Sequence, residues 1–190
     1  MIPFSEMTEN NVEDPSKEHF LYSILNPKSL CFFGANNNLL KTMGSFQLWN
    51  IITEGFKGNI YPIHLREEKV LGLKAYKSVL DLPEIPDLAM IVIPTRHIPE
   101  VMEECGQKGI TRLIITSGGF REIGPEGKRF SQQIDEIAGK YNMRFIGPNC
   151  LGVYNGWYRP ENEKTRFNTF WVYKLPERGT QETSLIYSKQ

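Results

Sequence analysis

The residues of this 190-residue chain that are best suited to chemistry fall into short groups, each closing an apolar run. They are Gly34-Ala35-Asn36-Asn37-Asn38, Pro94-Thr95-Arg96-His97, Ser117-Gly118-Gly119-Phe120 and Gly147-Pro148-Asn149-Cys150. Small residues let a ligand approach the backbone, and the side-chain amide of Asn149 can both donate and accept hydrogen bonds. A helix starting after the first group presents free N–H groups to an anion such as a phosphate. Arg66 follows the apolar-rich segment NIYPIHL and adds a cation suited to a phosphate carried on a ribose. These residue types point to a phosphate-bearing, nucleotide-like ligand.

Other chemistries find less support. His19, His64 and His97 are not spaced with a second His or Cys for a metal, so no metal site is expected. Cys31, Cys105 and Cys150 are three in number, far apart and without CxxC spacing. They argue against a disulfide framework and for a reducing, cytoplasmic home. Cys150 reads as a tightly packed side chain or as part of a ligand channel. Glu122 and Glu126 precede a helix and read as residues that complement its dipole, not as an acid–base pair. No catalytic residue is assigned.

Lys+Arg and Asp+Glu both number 22, a balance that argues against a protein that coats nucleic acid. Hydrophobic residues at 40% suffice for a core, and no apolar run approaches the ~20 residues of a bilayer crossing.

The elements that position these groups alternate in period. Ser29 to Phe33, Asn59 to Leu65, Asp87 to Ile93, Arg112 to Thr116 and Arg144 to Ile146 read as strands. Leu39 to Glu54, Ile98 to Lys108 and Glu126 to Tyr141 carry helical spacing. This rhythm predicts an α/β, doubly wound, mostly parallel sheet of Rossmann-like type, with ligands outside the carboxyl ends of the strands. Residues 1–19 read as a polar arm, 20–156 as the domain, and 157–190 as an extension with an extra strand over 167–173 and then a tail.

A standard NAD fingerprint would show G-x-G-x-x-G and an acidic residue closing the second strand. Here the first turn is GANNNLLKTMG, and Arg66 stands at the end of strand two with no carboxylate before Glu67. The segments LNPKSLCFFGANN, GNIYPIHLREEKVLGLKAYKSVLDLP, DLAMIVIPTRHIPEVMEECGQKGI, LIITSGGFREIGPEG and YNMRFIGPNCLGVYN appear in this order. In that arrangement the chain resembles the CoA-binding domain of the NDP-forming acyl-CoA synthetases, the superfamily of the succinyl-CoA synthetase α subunit. The resemblance runs from about Leu21 to Asn155, and FNTFWVYKLPERG extends it. It implies coenzyme A or acyl-CoA as ligand. The CoA phosphates and sugar would lie against Gly34, Ala35, Asn36 and Arg66, and the pantetheine arm past Pro94, Ser117, Gly118, Asn149 and Cys150.

The chain also departs from that family. Asn36 stands where the family usually has Ser, and His64-Leu65-Arg66 replaces an Asn-Pro-Lys-like turn. After PERG the family continues into a domain that helps form a phosphohistidine site, whereas here TQETSLIYSKQ follows. The resemblance therefore implies CoA binding without turnover by this chain alone, with a separate catalytic subunit or a second copy as partner. The rival readings are a NADP- or NAD-binding redox or sensor module, and an interaction protein that kept the fold and lost the ligand.

Overall fold

Runs that are buried throughout and almost wholly apolar become the centre of the sheet. Strands β1 (Ser29–Phe33) and β5 (Leu88–Ile91) are buried along their whole length and pair in parallel. The computed structural model describes residues 19–39, 41–156, 158 and 165–170, and the backbone of 184–188. Nearly all of the expected N-terminal arm, and Trp157 and Trp171, lie outside these residues.

Along the chain come α1 (Phe20–Leu25), β1, α2 (Met43–Thr53), β2 (Asn59–Ile63), the short strands β3 (Lys69–Val70) and β4 (Leu73–Lys74), and β5. Then follow α3 (Ile98–Lys108), β6 (Arg112–Ile115), α4 (Pro125–Lys140), β7 (Arg144–Ile146), β8 (Cys150–Asn155), β9 (Phe167–Asn168) and β10 (Ser184–Ser188). The central sheet has the order β2-β1-β5-β6-β7 with every pair parallel, as the doubly wound reading requires. Strand order reverses between β1 and β5, which makes that gap the switch point.

Alternation along the strands sorts the core into two layers. Cys31, Phe33, Ala89, Ile91, Leu113 and Ile115 face α3 and α4, packing on Ile98, Met102, Cys105, Phe130 and Ile134. Leu30, Phe32, Leu88, Met90 and Ile114 face the other way, onto Ile24 of α1, Leu48 and Ile51 of α2, and Val153 of β8. Gly109, left-handed at φ 97°, ends α3 as the sequence suggests.

Three local readings change. Helix α2 starts at Met43, not Leu39, because the Thr42 hydroxyl accepts the Ser45 N–H and caps it there. Cys150–Asn155, to which the sequence pattern assigns neither strand nor helix, is a strand in a separate antiparallel sheet of order β10-β8-β9. The extra strand expected over 167–173 is realised at Phe167–Asn168, its residues 171–173 lying outside the described ones, and the expected tail contains β10.

Candidate functional site

At the switch point the end of β1 meets the end of β5 through backbone alone. Val92 N–H donates to the Phe33 carbonyl at 3.1 Å, and a Cβ added to Gly34 would lie 2.0 Å from the Val92 carbonyl oxygen. With φ at 97°, Gly34 is held to glycine by both conformation and space.

The chain then turns over the N-terminus of α2 on its own polar side chains. Asn36 N–H donates to Ser45 Oγ at 2.9 Å, and Ser45 Oγ donates back to the Asn36 carbonyl at 3.0 Å. Asn36 Oδ1 accepts the Asn38 N–H at 2.8 Å, while its Nδ2 reaches Thr42 Oγ1 at 3.3 Å. Several donors that a phosphate would use are thus already engaged, and Thr42 and Ser45 join the groups that shape this turn. Ala35 is buried beneath it.

Across the switch point, Pro94 is exposed and opens a short 3-10 turn, Thr95–His97. The Thr95 hydroxyl donates to the Gly118 carbonyl, tying the loop after β5 to that after β6. Ser117 is buried, and its carbonyl accepts the Asn149 N–H at 2.9 Å. Glu122 Oε1 accepts the Gly119 N–H at 2.7 Å and the Asn149 side-chain amide at 3.3 Å. The loops that carry Pro94, Ser117, Gly118 and Asn149 are therefore tied by hydrogen bonds into one ledge at the carboxyl edge.

Cys150 lies under that ledge. Its thiol donates to the Ile115 carbonyl at 3.4 Å, and burial pushes its pKa up from 9.0 to about 11. It packs with Leu48, Ile146 and Val153 in the core, the arrangement of an inert structural thiol. Arg66 stands apart, exposed on the loop after β2. His64, at the root of that loop, accepts both Arg66 N–H and Glu67 N–H on Nδ1, at 3.2 and 3.0 Å, which gives this histidine a turn-holding role.

Sequence reasoning missed Thr95 and Asn37 as shapers of these loops and gave Glu122 to the helix dipole. Gly119 and Glu122 are three residues apart, the spacing of a carboxylate reaching back to a backbone N–H, so the signal was present. The acidic residue in the first turn of α4 is Glu126 alone. A further groove of about 560 Å³, built from Arg121 and α4, mixes Arg121 and Lys128 with Asp135 and Glu136. Its balanced charge does not suit an anionic ligand.

Residues 28–156 match the family model described as a CoA binding domain. The chain belongs to that family. The domain is similar to that of ADP-forming acid–CoA ligases. It is 43% identical over 130 residues to the alpha subunit of an ADP-forming acetate–CoA ligase II of Pyrococcus furiosus, an alignment covering 68% of this chain and 28% of that one. It is 44% identical over 156 residues to an ADP-forming 4-hydroxybutyrate–CoA ligase of Nitrosopumilus maritimus, covering 82% of this chain and 21% of that one. The chain thus spans well under a third of either relative. Among solved structures, a Pyrococcus horikoshii protein superposes with TM-score 0.72 at 40% identity, over 80% of this chain and 33% of that one. A dinucleotide-forming acetyl-coenzyme A synthetase 1 of Korarchaeum cryptofilum, in complex with phosphate and ADP, follows at TM-score 0.71 and 30% identity, over 80% and 30%. Among the described residues, no helix is long and apolar enough to cross a membrane, and no group of three or more His, Cys, Asp or Glu could hold a metal ion.

Proposed function

We propose that this chain binds coenzyme A, free or acylated, along the carboxyl edge of the central sheet, and that turnover requires catalytic residues outside the matched region. The observation that carries the reading is the switch point itself. The bare backbone at Gly34 faces Val92, and a ledge of Pro94, Ser117, Gly118 and Asn149 continues from it. In this reading the diphosphate lies against Gly34, Ala35 and Asn36, Arg66 meets the ribose phosphate, and the pantetheine arm runs along the ledge toward Asn149, above Cys150. The diphosphate would have to use donors that the Asn36–Ser45 network leaves over, since that network already engages two N–H groups of the turn.

The chemistry supplied by these residues is binding and orientation. The glycines let the strand ends and loops close against one another and so shape the edge, and Arg66 meets an anion with a planar fork. The reacting thiol would be carried by the ligand, since Cys150 is buried and its proton is held tightly. A catalytic partner is the companion proposal, supported by two similar Pyrococcus furiosus proteins that are themselves alpha subunits of acetate–CoA ligases.

Calorimetric titration of the chain with CoA, acetyl-CoA, NADH and NADPH in parallel tests the reading. CoA and acetyl-CoA should bind at micromolar strength while the nicotinamide cofactors give no heat. Binding of NADH or NADPH in their place would overturn it.

A further inference from the structure

We propose that Asn37 is a positioning residue: its side chain fixes the Arg66 loop relative to the first turn, so that one ligand must satisfy both with two anionic groups. The inference rests on the CoA reading above and goes beyond it in naming what sets the spacing of the two charges.

The Asn37 amide is used on both sides. Its Nδ2 donates to the Lys69 carbonyl at 3.0 Å and to Glu67 Oε2 at 3.3 Å, while its Oδ1 accepts the Leu71 N–H at 2.9 Å. Three contacts thus join the turn after β1 to residues 30 to 34 positions away. They land on a stiff element. Leu71 and Gly72 both have positive φ, 48° and 84°, the two-residue geometry that suits a tight hairpin between β3 and β4. Val70 anchors that hairpin by full burial in the core.

The segment carrying Arg66 is therefore pinned at both ends. His64 Nδ1 holds the Arg66 and Glu67 N–H groups, and Asn37 holds Glu67 and Lys69. Arg66 is exposed between these anchors. A cation on a fixed loop loses less freedom when it meets a phosphate, and its distance from Gly34–Asn36 is set before the ligand arrives. Asparagine suits this task by chemistry. Aspartate has no donor for the Lys69 carbonyl, and alanine has neither donor nor acceptor. Because these contacts are exposed, losing them costs little global stability.

The test uses the full chain and two ligands, CoA and CoA lacking the 3′-phosphate, with the variants Asn37→Ala, Asn37→Asp, Arg66→Ala and the double variant Asn37→Ala/Arg66→Ala. The parent should prefer CoA by about tenfold or more, the usual scale of a charge-assisted phosphate contact. Each single variant should lose most of that preference, and the double variant should bind no worse than Arg66→Ala within about twofold. The isosteric Asn37→Asp keeps an acceptor for Leu71 and guards against a folding defect in the alanine variant. Full preference in both Asn37 variants, or multiplicative losses in the double variant, overturns the role of Asn37 while leaving CoA binding intact. A parent that binds neither ligand overturns the CoA reading itself.

Discussion

The carboxylate of Glu122 accepts a hydrogen bond from the side-chain amide of Asn149 at 3.3 Å, across 27 residues of sequence. With its second contact, to the Gly119 N–H at 2.7 Å, it joins the loop after β6 to the loop after β7. Because Asn149 also takes a left-handed conformation, φ 59°, its orientation depends on being held from outside.

Glu122→Ala should therefore weaken CoA binding by about fivefold, the scale of one exposed charge-assisted contact, with little change in melting temperature. Glu122→Gln keeps an oxygen for Gly119 and should fall between the two. Calorimetry on both variants decides the point. A parental affinity in Glu122→Ala would show that the ledge holds its shape without this carboxylate.

Gly34→Ala should destabilise the fold by about 2 kcal/mol or more, since the new methyl meets the Val92 carbonyl at a positive φ. Its effect on binding is then entangled with folding, so this substitution measures the strand junction and not the ligand. Gly139 in α4 is the control: nothing lies within 4 Å of its added Cβ, and Gly139→Ala should stabilise by about 0.5 kcal/mol. Urea denaturation of the two variants should give shifts of opposite sign.

Gln47 is fully buried, its Nε2 donating to the Thr169 carbonyl at 2.7 Å and its Oε1 accepting from the Thr116 hydroxyl at 3.4 Å. Gln47→Leu strands both partners, and should cost about 2–3 kcal/mol, read as a lower urea midpoint with an unchanged slope. A near-parental midpoint would mean that water replaces the amide.

Alkaline stability follows from the buried acids. Burial raises the Cys150 pKa from 9.0 to about 11, and burial first, with Glu84 second, raises Tyr61 from 10.0 to about 12. Burial raises Tyr158 from 10.0 to about 12, and it lifts Cys31 well above 9.0 beside Cys105. The folded state then holds more protons than the unfolded one, so stability is complete below the unfolded values and falls as pH rises past 9.0 toward 11. Melting temperature should be level between pH 7 and 8.5 and drop above it. At pH 8 only roughly one Cys150 in a thousand is thiolate, so a thiol reagent should label it on unfolding and not before.

The central sheet was legible because strands buried on both faces are written as nearly continuous apolar runs, as in LCFF and LAMIVI. Arg144–Ile146 came through even at three residues, since a helix precedes it and GPN follows. Strand β8 did not, because CLGVYN pairs only with segments far along the chain, and such pairing leaves no local period. The same reason hid Asn37 and the Asn149 contact of Glu122, while the local Gly119–Glu122 spacing was read as complementing a helix dipole. The start of α2 was lost to Leu39 and Leu40, whose apolar character mimics a helical face, while the Thr42 cap decides the boundary.

Helix α2 and its C-cap carry a polar stripe at helical spacing: Gln47 and Asn50 donate to the Thr169 and Phe170 carbonyls, and the C-cap Glu54 pairs with Arg166 at 3.3 Å. Beside it Phe56, Tyr158 and Phe167 cluster with ring centres 5.3 to 5.8 Å apart, Phe56 stacked on Tyr158 and Phe167 tilted against both. The matched region stops at 156, but physical autonomy does not. A fragment trimmed there would carry the whole carboxyl edge of the central sheet and yet leave a wet, unpaired amide row where a dry seam belongs. Any transplant of this module into another protein has to bring the return segment through Phe170 with it.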